Sequence, residues 1–71
     1  MLLMTRSDLL ALRTLAYAKE LVSLDSIPRS FEDDFNNYFL GKTLVKKDNH
    51  LFAYPNDIKR WVNFVFDTYK N

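Results

Sequence analysis

The sequence predicts an α+β fold: one small domain of order α-α-β-β-α, with three helices packed against a two-stranded antiparallel hairpin. Three observations predict it. Apolar residues recur at helical spacing in three separate segments. Between the second and third of these, Leu44-Val45 and Leu51-Phe52 flank an Asp48-Asn49 pair that tolerates positive φ, as a tight primed turn between short strands requires. One Gly, two Pro and 48% hydrophobic residues make a composition that packs rather than disorders.

The first helix is capped by Thr5 or Ser7 and expected to run to about Val22. Asp8 sits in its first turn, where the helix dipole favours negative charge. Its inward stripe is expected to be Leu10, Tyr17, Ala18 and Leu21. Residues 23–29 (SLDSIPR) read as a turn, because Pro28 disfavours helix at Ile27. Ser30 then caps a second helix, with Asp33 in a capping-box-like position. Phe31, Phe35, Tyr38 and Phe39 form its stripe, and Gly41 ends it in the left-handed conformation. The hairpin occupies residues 42–54 (KTLVKKDNHLFAY), packed through Leu44, Val45, Leu51 and Phe52. The last helix starts at Tyr54-Pro55-Asn56-Asp57, with Asn56 as cap or Pro55 in the first turn. It turns Ile58, Trp61, Val62, Val65, Phe66 and Tyr69 inward. No repeat, linker or low-complexity tract divides residues 1–71, which are expected to form a single domain.

Composition narrows the function. The absence of cysteine excludes disulfides and thiolate metal sites and favours a reducing compartment. The opening MLLM is too short for a signal segment or a membrane span, so a cytoplasmic protein with no membrane partner is expected. Ten Lys/Arg against nine Asp/Glu leave a net charge of +1, without the basic excess of a nucleic-acid-binding domain. His50, the one imidazole, falls near the hairpin tip, a poor place for a dry catalytic site. Glu32, Asp33 and Asp34 spread around a helix instead of converging on a metal, and complement the helix dipole. No Gly-rich loop or metal-ligand spacing appears. The expectation is no enzyme, no cofactor and no metal.

What remains is surface. At about 100° per residue, Leu9, Leu12 and Ala16 fall opposite the main stripe of the first helix, among Arg13, Lys19 and Glu20. Phe64 projects away from the inner face of the last helix. Together with Met1, Leu2, Leu3 and Met4, this is more apolar surface than one small core consumes, and such surplus marks interaction sites. A protein partner is therefore expected at Leu9, Leu12 and Ala16, and at Trp61 with Phe64. Glu32, Asp33 and Asp34 would meet a basic partner. A chain of this kind suits a regulator, an inhibitor, an antitoxin-like partner or a modulator encoded by a phage or mobile element. Homodimerisation through the first helix is a further reading.

The basic hairpin supports an alternative. A strand-turn-strand after a helix is the layout of the wing in winged-helix domains, and HLFAYPNDIKRWV resembles the closing strand and helix of the excisionase-type members. That resemblance implies nucleic-acid binding, with Lys46, Lys47, Asn49 and His50 on phosphates and Lys42, Lys59 and Arg60 extending the rim. The departure lies in the helix before the wing, which begins Phe31-Glu32-Asp33-Asp34 and would be repelled by a duplex. Lys46 and Lys47 also alternate onto opposite faces of a strand. The protein-binding reading is preferred.

Overall fold

Thr5 begins the first helix as expected: its Oγ1 accepts a hydrogen bond from the Asp8 backbone N–H at 3.1 Å. The computed structural model describes residues 5–68, so the expectations placed on Met1 to Met4 and on Tyr69 lie outside the described residues. Helix α1 spans Arg6–Leu15 and stops well short of Val22. Val22–Ser23 instead forms a short strand, β1, which pairs antiparallel with β3 (His50–Ala53), Val22 opposite Ala53 and Ser23 opposite Phe52. With β2 (Val45–Lys47) the sheet has three strands in the order β1-β3-β2, not two. The physical reason is that a lone hairpin is marginal in water. A β-branched Val22 packed beside Ala53 supplies a third strand and a buried edge.

The shorter helix also reverses the expected phase of α1. Leu12 is fully buried, and Leu9, Leu15 and Ala16 pack against the core. Leu10 and Tyr17, expected inside, are 56% and 77% exposed, and Leu21 is exposed with them. Only Ala18 of the predicted stripe packs inward. That stripe relied on Tyr17 and Leu21 continuing the helix. Within ten residues, the Leu9-Leu12-Leu15-Ala16 set is the one that faces the core. Leu12 thus has no exposed area to offer a partner, and Leu9 and Ala16 are half-buried against the core.

Two 3₁₀ turns, Leu24–Ser26 and Arg29–Phe31, lead into α2 (Glu32–Tyr38). Ser30 is not the cap of α2. It lies inside the second 3₁₀ turn, and its hydroxyl donates to Asp8 Oδ2 at 2.6 Å, tying the start of α1 to the approach to α2. The cap position falls to Phe31, which makes no side-chain bond there. Gly41 adopts φ +80°, and Asp48 and Asn49 adopt φ +52° and +65°. Two consecutive positive φ values give the primed turn that the sequence predicts. Beyond it, Leu44 packs on the core, Val45 and Phe52 are half-buried, and Leu51 is exposed. Ala53, nearest the helices, is the residue of β3 that reaches the core.

Helix α3 (Pro55–Thr68) buries Ile58, Trp61, Val62 and Val65, with Phe66 packed on them. Trp61 is fully buried. Phe35 meets its ring nearly edge-on, with centroids 5.1 Å apart at 89°, and Phe39 stacks on Phe35 at 4.1 Å. Trp61 Nε1 has no hydrogen-bond acceptor among the described residues. An orphaned donor of this kind costs about 1–3 kcal/mol.

Phe35→Ala should cost about 3–5 kcal/mol, comparable to the whole stability of a domain this small. An unchanged urea midpoint would contradict the packing described. Leu9→Glu combined with Leu12→Glu should unfold the chain, as read by circular dichroism. The Ser30 hydroxyl holds the Asp8 carboxyl below the usual aspartate range, partly opposed by desolvation. Its stabilising contribution is thus present above the unfolded carboxylate pKa and disappears as pH falls through the lower folded value. The stability difference between wild type and Ser30→Ala should therefore shrink in acid. A constant difference down to low pH would show that the carboxylate is not involved.

Candidate functional site

Turning Phe35 and Phe39 inward leaves Tyr38 at the edge of the core, half-buried, on the side where α2 meets α3. There its ring lies 5.3 Å from that of Phe64, tilted by 41°, and 5.3 Å from Phe39. Phe64 remains 49% exposed. Gly41 reverses the chain after α2, and the Lys42 N–H donates to the Phe39 carbonyl at 3.0 Å. This return places Lys42 Nζ 3.8 Å above the Tyr38 ring centroid and 5.7 Å from that of Phe39. A cation over a ring face is attracted by the ring quadrupole and restricts both side chains. The result is an ordered aromatic surface of Tyr38 and Phe64, with Lys42 at one end.

Of the residues expected to bind a partner, Phe64 is in this surface and Trp61 is not. Trp61 has no exposed area and serves the core, as its place on the inner stripe of α3 also required. Glu32 and Asp33 are exposed in the first turn of α2, and Asp34 is half-buried. The sequence places Tyr38 only in the core, and Lys42 only on a nucleic-acid rim. The signal for Tyr38 lies in the spacing: α2 itself holds Phe35 and Tyr38, Phe31 and Phe39 flank it, and the three phenylalanines, four residues apart, take the interior.

Lys46, Lys47, Asn49, His50, Lys59 and Arg60 are all exposed. The ladder sets Lys46 opposite Leu51 and Lys47 opposite His50, so the two lysines take different faces of the hairpin. His50 Nδ1 lies 3.2 Å from Asp25 Oδ2, with both side chains largely in solvent. An exposed pair of this sort contributes only about 0.2–1 kcal/mol. It does, however, place a carboxylate against the imidazole that the winged-helix alternative sets on phosphate. A groove of about 640 Å³ between the 3₁₀ turns and α2 is lined by Arg29 as well as Asp25 and Glu32, over Leu24, Ile27 and Phe35.

Among the described residues, no group of three His, Cys, Asp or Glu side chains is placed to hold a metal ion, and no helix is long and apolar enough to cross a membrane. Replacing Lys46, Lys47 and His50 together by Ala should change stability by less than ~0.5 kcal/mol, since exposed side chains near a turn carry little of the fold. A larger loss in a thermal melt would show that the tip supports the sheet. Comparison with protein-family models, with curated proteins and with solved structures finds no match to this chain.

Proposed function

We propose that the chain is a small non-enzymatic binding module, regulatory or inhibitory in role, that engages another protein through the Tyr38–Phe64 surface. The observation that carries this reading is the half-exposed Phe64, held against Tyr38 while Trp61 and Phe35 fill the interior. Restricted aromatic side chains at a surface give large contact area for little lost entropy, and they dominate protein interfaces. Lys42 supplies a polar rim, and the exposed Glu32 and Asp33 add carboxylates for a basic partner. Immobilised chain carrying Phe64→Ala should lose a protein partner that wild type retains, with its melting curve little changed. Lys46/Lys47/His50→Ala should retain it. The opposite pattern would move the contact to the hairpin.

A second reading draws on β1. The order helix, strand, helical turns, helix, hairpin extends the winged-helix likeness beyond the hairpin, and β1 anchors β3 as a wing would need. Against it stand the acidic start of α2 and the Asp25 carboxylate beside His50. A nucleic-acid binder neutralising several phosphates loses affinity linearly in log–log terms as salt rises. The protein-binding reading predicts no such association with duplex DNA or single-stranded RNA at low salt. A steep salt slope, abolished by the triple alanine variant, would establish the wing reading instead.

A further inference from the structure

We propose that the groove between the two 3₁₀ turns and α2 binds a small zwitterion with an apolar side chain, the chemistry shared by a free amino acid and a short peptide with free ends. The groove measures about 640 Å³. Sites that take small molecules span roughly 300–1,000 Å³. Its charged walls come from separate elements: Asp25 from the first turn, Arg29 from the second and Glu32 from α2. Leu24, with the buried Ile27 and Phe35, forms an apolar floor between them.

The ionic groups decide the charge of the ligand. Arg29 and Glu32 stand three positions apart on one run of helical turns, a spacing at which opposite charges ordinarily meet. Yet among the described residues neither takes part in an ion pair. Asp25 is already engaged, its Oδ2 lying 3.2 Å from His50 Nδ1. The groove thus offers one guanidinium and one carboxylate without partners of their own. A simple anion would meet Glu32 and a simple cation would meet Arg29, whereas a zwitterion satisfies both. Its carboxylate takes two parallel N–H bonds from Arg29, and its ammonium donates to Glu32. The apolar side chain then covers Leu24. Asn36, four residues after Glu32 on the same face of α2, supplies an amide for any peptide group. This site is separate from the aromatic surface. At about 100° per residue, the buried Phe35 and Phe39 lie between Glu32 and Asn36 on one flank of α2 and Tyr38 on the other.

Titration of the full chain with leucine and with leucylleucine, followed by amide resonances, should give saturable shifts at residues 24–36 with at least one of them. Which ligand saturates at the lower concentration tells a free amino acid from a peptide. Acetylating the ligand amine should raise Kd about tenfold or more for wild type, and amidating its carboxylate should do the same. In Glu32→Gln the unmodified ligand should bind about tenfold more weakly, and acetylation should then cost little further. Arg29→Gln should behave likewise towards amidation. Both side chains are exposed, so both variants should keep the wild-type melting curve. The absence of saturable shifts with either ligand up to about 10 mM overturns the site. Binding in which blocking either end of the ligand costs as much in the variants as in wild type refutes the roles given to Arg29 and Glu32. Neither result touches the protein-partner reading, which is tested through Phe64.

Discussion

The edge-to-face contact between Phe35 and Trp61 sets how α2 lies on α3, and most of the surface follows from it. With Trp61 fully enclosed and Phe35 directed at it, Phe39 stacks on Phe35 from the next turn. A helix as short as α2 cannot bury a fourth aromatic on the same side. Tyr38 is left at the margin, where Phe64 and Lys42 cover it incompletely. The exposed aromatic surface is a by-product of the core geometry. It is also ordered, because its inner edge belongs to that core.

Local signals proved legible and distant ones did not. The Asp48-Asn49 turn, the positive φ of Gly41 and the inner stripe of α3 each depend on residues within a turn or two, and all appear in the structure. Strand β1 depends on Ala53, far along the chain, and two residues carry no periodicity to reveal it. Ser30 has every local mark of a cap, yet its hydroxyl is taken by Asp8, twenty-two positions earlier. The phase of α1 was ambiguous because apolar residues occupy nearly every angle of that helix. The helix stops at Leu15, before Tyr17 and Leu21 could continue the expected stripe, and the chain goes on to pair Val22 in the sheet. The sequence places Trp61 both inside and at an interface. Its volume and its position on the stripe favoured the interior.

Electrostatics separate the candidate surfaces more clearly than hydrophobicity does. The hairpin is basic in sequence, but its lysines divide between two faces and its histidine meets Asp25. The α2–α3 surface centres on the Tyr38 and Phe64 rings, with Lys42 over Tyr38. Steering by a single-sign field would suit a phosphate backbone. An aromatic centre with a polar rim suits a protein contact.

The proposed contact runs through the Tyr38–Phe64 surface and not through the hairpin. Amide resonances followed during addition of any protein partner test it most directly. Contact through the aromatic surface should move residues 38–42 and the exposed positions of α3 around Phe64, and leave 45–50 unmoved. Shifts confined to 45–50 would contradict it.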